Sequence, residues 1–167
     1  ELQELLLKIK NIISSKEHII SKYRKEVISS PEIVGDKTQD EIFLENMTSI
    51  INAKLNDDDF KIEDLAESLN MSYSSLYRKC QALTGKNPVD YIRLIRLKRA
   101  AVLIAKYGYN ISETAFIVGF KDPKYFSKCF KKQYYKSPKE FEREARKMGV
   151  DDYLKEHDLD HSRFNLT

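Results

Sequence analysis

Apolar residues recur at helical spacing along most of this chain, and one section of the pattern is written twice. Each copy, at residues 62 to 91 and 111 to 141, reads as a short apolar helix, a turn, a capped basic helix, and then proline followed by an aromatic residue. A shift of fifty residues places Ser72 on Asp122, Leu76 on Phe126, Arg78 on Lys128, Pro88 on Pro138 and Tyr91 on Phe141. The upstream parts match at forty-nine, Ile62 with Ile111 and Ala66 with Ala115, so the second turn is one residue longer. Two copies are too few for a solenoid, which needs three or more to close its core. The pattern predicts a tandem pair of helix-turn-helix units.

In the first copy Leu65, Ala66 and Leu69 face inward from a helix of about seven residues after Phe60-Lys61. The small Ala66 allows the next helix to cross closely. Asn70-Met71-Ser72 forms the turn, Ser72 caps a helix from Tyr73 to Thr84, and Gly85 supplies the positive φ that ends it. Leu76, Cys80 and Leu83 point inward, which leaves Ser74, Tyr77, Arg78 and Gln81 outside. Pro88 then opens a helix to about Tyr107 with an apolar face of Tyr91, Ile92, Ile95, Ala100, Val102, Leu103 and Ile104. At about 1.5 Å per residue such a helix is roughly 30 Å long, close to the roughly 34 Å between successive major grooves on one face of B-DNA. In the second copy Ala115, Ile117 and Val118 are expected inside, the turn lies at Gly119-Phe120, and Asp122 with Pro123 starts a helix to about Tyr134. That helix buries Phe126 and Phe130 and exposes Lys124, Ser127, Lys128 and Lys131.

Upstream, Leu2, Leu5, Ile9, Ile12, Ile19 and Tyr23 form an apolar stripe, with Leu6, Ile13, Ile20 and Val27 beside it. The stripe suits a partner helix, a neighbouring domain or the rest of this chain. Pro31 and Gly35 break the pattern, so residues 29–41 read as a linker. Helix resumes at about Asp40 with Ile42, Phe43, Met47, Ile50, Ile51 and Leu55 on one face.

Charge changes this picture by its placement. Residues 1–56 hold 8 basic and 9 acidic side chains, residues 57–147 hold 19 and 12, and residues 148–167 hold 2 and 5. Only the duplicated region is basic, the footprint expected of a nucleic-acid module. No apolar run approaches the roughly 18 residues of a membrane span, and no signal peptide is visible. The two cysteines, Cys80 and Cys129, fall within helices and read as reduced cytosolic thiols. An enzyme would need convergent polar groups, whereas His18, His157 and His161 are scattered or terminal and neither thiol has an obvious base. His157 and His161 at i, i+4 are too few for a metal site, and no cofactor is expected. The opening ELQELLLKIK begins mid-helix, as expected of a piece of a longer polypeptide.

The stretches DLAESLNMS, LYRKCQALTGKNPVDYI, RLKRAAVLI and ETAFIVGFKDPKYFSKCFKKQYYKSPKEF resemble the DNA-binding domain of the AraC/XylS family of bacterial transcription regulators. The resemblance covers about residues 60 to 145. It implies base-facing roles for Ser74, Tyr77 and Arg78 in the first unit and for Lys124, Ser127 and Lys128 in the second. Tyr73, Lys79, Gln81, Tyr125 and Lys131 would touch phosphate. Two positions depart from the family pattern: Tyr135 stands where the second unit usually has glycine, so its helix is expected to end differently, and Cys80 fills a slot usually held by a larger residue, which suggests a slightly looser first core. ELLLKIKNIISSKEHIISKYRKEV resembles the last helix of a response-regulator receiver running into a signalling helix, as in hybrid two-component sensors. The receiver's phosphoacceptor acids are not in this sequence.

The expected fold is therefore all-α: two helix-turn-helix subdomains joined by a long linker helix, preceded by a signalling, coiled-coil-like helix. The expected organisation is a signalling helix at 1–28, a linker at 29–41, a DNA-binding domain at 42–147 and an acidic tail at 148–167 that packs back on the domain or contacts a neighbour through Val150, Tyr153, Leu154, Leu159 and Phe164. Within that domain the first unit spans 60–85, the linker helix 88–107 and the second unit 111–135. Expected partners are an operator in double-stranded DNA, RNA polymerase, and a second copy of the chain through the stripe Leu2, Leu5, Ile9, Ile12, Ile19 and Tyr23 or on DNA. This segment is expected in the cytoplasm without membrane contact, from a parent anchored in the inner membrane. The competing expectation is a protein-docking module with no sequence preference on DNA.

Overall fold

The computed structural model describes residues 37–57 and 59–159. The signalling helix, its stripe, His18 and His161 lie outside the described residues. Those described form eight helices and no strands: α1 (Gln39–Ala53), α2 (Ile62–Ser68), α3 (Tyr73–Thr84), α4 (Pro88–Tyr107), α5 (Ile111–Ile117), α6 (Pro123–Tyr134), α7 (Pro138–Met148) and α8 (Val150–Glu156). None of them is long and apolar enough to cross a membrane.

The helix starts follow local chemistry. Thr38 and Glu41 cap one another at the head of α1, with Thr38 N donating to Glu41 Oε2 at 2.8 Å and Glu41 N to Thr38 Oγ1 at 3.2 Å. This reciprocal cap draws residues 39–41 into helix, so the expected linker of 29–41 ends earlier. Ser72, Asn87, Asp122 and Ser137 cap α3, α4, α6 and α7 through their side-chain oxygens, and proline opens α4, α6 and α7.

Two hydrophobic cores are strung on α4. The first gathers Phe43, Met47, Ile51 and Leu55 of the α1 region, Leu65 and Ala66 of α2, Leu76 and Cys80 of α3, and Ile92 and Ile95 of α4. Tyr91 adds a polar tie, its hydroxyl 3.0 Å from Thr48 Oγ1 on α1. Cys80 is fully buried, and its thiol donates to the Lys86 carbonyl at 3.3 Å. Burial pushes that thiol's pKa up, as expected of an unreactive sulfur. The second core takes over at Leu97, where residues 99–105 are buried on every side of α4, as in a helix packed all round.

The second core is aromatic where the first is aliphatic. Phe126, Phe130 and Tyr134 follow one another at i, i+4, i+8 along α6, with ring centroids 5.7 and 4.6 Å apart. Phe141 of α7 meets Phe130 edge-on at 5.4 Å. Such pairs add about 0.5–1.5 kcal/mol each beyond the area they bury.

Two expectations are revised and a third is narrowed. Ile117 does not face inward: it is 39% exposed, because Ala115 and Val118 take the core positions of this short helix. The acidic stretch after residue 147 packs back on the domain as far as Leu159, with Tyr153, Leu154 and Leu159 buried in the second core. Tyr153 packs on Phe141 with centroids 4.8 Å apart, and its hydroxyl donates to Glu144 Oε2 at 3.1 Å, beside the Lys136–Glu144 ion pair. The α8 segment reads as acidic because its outer face is, while its inner face closes the core. Finally, α6 does not end differently from α3. Tyr135 adopts φ 59° in the left-handed region, matching φ 70° at Gly85.

The Tyr135 side chain is 88% exposed, so the strain at its backbone has little packing to offset it. Tyr135→Gly should therefore stabilise the protein by about 1 kcal/mol, read as a higher urea midpoint at unchanged slope; an unchanged midpoint would show that the strain is relieved in some other way. In the same assay Leu154→Ala should cost about 2–5 kcal/mol, and a loss near zero would remove α8 from the core.

Candidate nucleic-acid interface

Both copies of the motif build the same turn by the same hydrogen bonds. In the first, Asn70 N donates to Glu67 O at 2.9 Å and Met71 N to Ala66 O at 2.9 Å. In the second, Gly119 N donates to Phe116 O at 3.0 Å and Phe120 N to Ala115 O at 2.8 Å. The left-handed residue is Asn70 (φ 52°) in one and Gly119 (φ 79°) in the other, both residue types that tolerate positive φ. From there Ser72 follows after one intervening residue and Asp122 after two. The extra residue in the second turn follows the reversal rather than forming part of it.

On α3 the outward face carries Tyr73, Ser74, Tyr77, Arg78 and Gln81, all exposed. Tyr73 and Tyr77 stack, their centroids 6.3 Å apart, which stiffens the first turns of the helix. Ser74 Oγ lies 3.3 Å from the capping Ser72 Oγ. Gln81 is turned toward the helix end, its Nε2 donating to the Gly85 carbonyl at 3.1 Å. Arg78 therefore presents the one cation on this face, and its planar fork matches the two acceptors of a guanine edge.

Lys79, expected at a phosphate, is placed on the side of α3 that meets α1. Its Nζ lies 3.1 Å from Asp40 Oδ1 and 4.8 Å from the centre of the Phe43 ring.

On α6 the outward face is cationic. Lys124, Lys128 and Lys131 are exposed. Ser127 is half-buried and donates back to the Pro123 carbonyl at 2.9 Å, so its hydroxyl is engaged with its own helix. Tyr125, also expected at phosphate, leans toward the gap between the two subdomains. It packs on Phe120 with centroids 6.1 Å apart, and its hydroxyl bonds with the Cys129 thiol, which pushes the phenol's pKa up.

That gap is an open cleft of about 720 Å³. Lys61, Arg93 and Lys121 stand on its walls beside Val89, Phe120 and Tyr125. Arg93 is held by Asp90 at 2.6 Å and Lys121 by Asp59 at 2.8 Å. Sequence reasoning gave these cations no role, since the motif assigns only residues within the two reading helices. No group of three or more metal-ligating side chains occurs among the described residues.

The chain is similar to known proteins. A family model described as a helix-turn-helix domain matches residues 65–144. "Histidine kinase P4" of Formosa agariphila is 33% identical over 140 residues, 84% of this chain and 10% of that protein. The HTH-type transcriptional regulator MtrA of Neisseria gonorrhoeae is 33% identical over 89 residues, 53% of this chain and 30% of that protein. The chain thus spans from a tenth to under a third of the length of these relatives. Among solved structures, the C-terminal domain of the two-component response regulator yesN from Fusobacterium nucleatum is 30% identical, with a TM-score of 0.55 covering 60% of this chain and 98% of that one. The DNA-binding domain of AdpA, solved in complex with a target DNA, is 25% identical, with a TM-score of 0.58 over 64% of this chain and 96% of that one. With its paired turns, two exposed second helices and shared central helix, the chain belongs to the AraC-type helix-turn-helix family of DNA-binding transcription regulators.

Proposed function

We propose that this chain is the sequence-reading output segment of a two-component signalling protein, and that each copy reads two successive major grooves. The observation that carries the reading is the presence of two like-built reading faces on one continuous helix of 20 residues. At about 1.5 Å per residue α4 is roughly 30 Å long, close to the roughly 34 Å that separates major grooves on one side of the duplex. Arg78 and its neighbours Ser74 and Tyr77 would read the first element, and Lys124 and Lys128 the second, where Ser127, whose hydroxyl proton already goes to the Pro123 carbonyl, could only accept a bond. Gln81 and Lys131 flank the reading positions and suit phosphates, which fix register without carrying sequence. Tyr73 shares that placement, whereas Lys79 and Tyr125 are engaged within the fold. The two-component assignment draws on the relative named a histidine kinase, which matches over 84% of this chain, and on the response-regulator origin of the yesN domain. In this reading residues 1–28 transmit the receiver's state, and their apolar stripe joins two copies on the operator.

Selection from a randomised duplex pool at near-physiological salt tests the proposal, and two short elements about one helical turn apart are expected. Enrichment of no sequence would leave docking onto an acidic protein surface as the function of the basic faces. On the selected duplex, Arg78→Ala should weaken binding by about 1–3 kcal/mol and less on a scrambled one, whereas Lys131→Ala should weaken both alike. Equal losses for Arg78→Ala would remove its base-reading role. Because Lys79 is held by Asp40, Lys79→Gln should leave the salt dependence of affinity unchanged and cost about 0.2–1 kcal/mol of stability. A salt slope shallower by about one would place Lys79 on a phosphate after all.

A further inference from the structure

The two cores share α4 but remain separate hydrophobic clusters, so burial alone does not set the angle between the subdomains. One side chain bonds to both. Arg96, midway along α4, donates from Nη2 to the Asp57 carbonyl at 2.9 Å and from Nη1 to the Gly119 carbonyl at 2.8 Å. Asp57 belongs to the connection between α1 and α2 in the first subdomain. Gly119 is the left-handed residue of the second helix-turn-helix, three residues before the cap of its reading helix. Because a guanidinium is planar, its two arms fix the direction from one carbonyl to the other, as a flexible ammonium cannot.

The two subdomains also touch backbone to backbone at this point. A Cβ on Gly119 would stand 2.5 Å from the Leu55 carbonyl oxygen and 2.8 Å from Arg96 Cζ, so no side chain fits there. Lys121 adds a bridge to Asp59 at 2.8 Å, but its partners are 62% and 82% exposed and it contributes little.

We propose that Arg96, seated against Gly119, is a positioning residue that sets the angle and separation of the two reading helices, and through them the spacing of the two DNA elements. The functional half of this proposal rests on the two-groove reading. Each base pair inserted between the elements turns the second by roughly 35° about the duplex axis. A latched pair of readers follows one spacing, and an unlatched pair follows several.

The test uses the whole chain and two readouts. Residual dipolar couplings of the free protein report whether α1–α3 (residues 39–84) and α5–α8 (residues 111–156), on either side of the shared α4, have one alignment tensor. One tensor is expected for the unsubstituted chain and two for Arg96→Met, which keeps the aliphatic stem and loses both bonds. Binding is then titrated on the selected duplex and on duplexes with the spacing changed by one base pair either way. The unsubstituted chain should prefer its optimal spacing by roughly tenfold or more, and Arg96→Met by about twofold or less. Arg96→Lys should fall between, and Gly119→Ala, which forces the backbones apart, should shift the optimum. These two variants carry the test if Arg96→Met does not fold. A single tensor in Arg96→Met overturns the latch, as does an unchanged spacing preference beside two tensors. If the unsubstituted chain selects no paired elements, the two-groove reading fails instead, and the dipolar couplings still decide whether Arg96 holds the subdomains together.

Discussion

The burial of residues 99–105 on every side of α4 is the constraint on which the second core and all that packs against it depend. A helix wrapped on all sides cannot roll or slide to accommodate one neighbour without disturbing the others, because interiors are packed as tightly as crystals. Its first half carries apolar residues on fewer sides and serves the first core, so one helix belongs to two cores at once, held all round in the second and along one side in the first. The outward faces of α3 and α6 are both referred to that helix, α6 through the second core and α3 through the first core and the Arg96 contacts. The short α2 and α5 matter less for what they expose than for the tight turns that aim α3 and α6.

The two outward faces differ in chemistry although their backbones repeat. Stacked tyrosines, serine and a single arginine make the first a surface of directional donors and flat rings, suited to groups with defined geometry. The second carries lysines, flexible point charges on long stems that can meet a guanine edge or a phosphate alike. The scaffold occurs twice, and each copy carries its own outward chemistry. The cores differ likewise, with Leu76 and Cys80 in one facing the same task as Phe126 and Phe130 in the other.

Much of this was legible in the sequence, because helix ends are written in local chemistry. Ser72, Asn87, Asp122 and Ser137 each cap within three residues, and Pro88, Pro123 and Pro138 punctuate without help from distant contacts. What escaped depends on partners far along the chain. Lys79 looked like an ordinary cation on a basic helix until Asp40, thirty-nine positions earlier, was placed beside it. The stretch after residue 147 could be read as packing on the domain or on a neighbour, because Tyr153, Leu154 and Leu159 follow no clear period and their aromatic partners are contributed by α6 and α7. Ile117 misled for a simpler reason, since a seven-residue helix offers too few turns to fix its inward face from spacing alone. The left-handed turn at Tyr135 was obscured by its side chain, whereas the fold around it requires the same reversal that Gly85 makes.

The pairing of Asn70 with Gly119 also bears on how freely the two halves could be exchanged. Both residues make the same reversal, yet the first sits exposed while the second lies against the Leu55 carbonyl with no room for a single carbon. The copies are thus modules in one direction only. The second unit's glycine would sit comfortably in the first position at a small entropic cost, but the first unit's asparagine would wedge the molecule open if moved to the second. A lineage that shuffled these halves, or an engineer who grafted one reader onto the other's place, would meet that asymmetry before any question of DNA sequence arose.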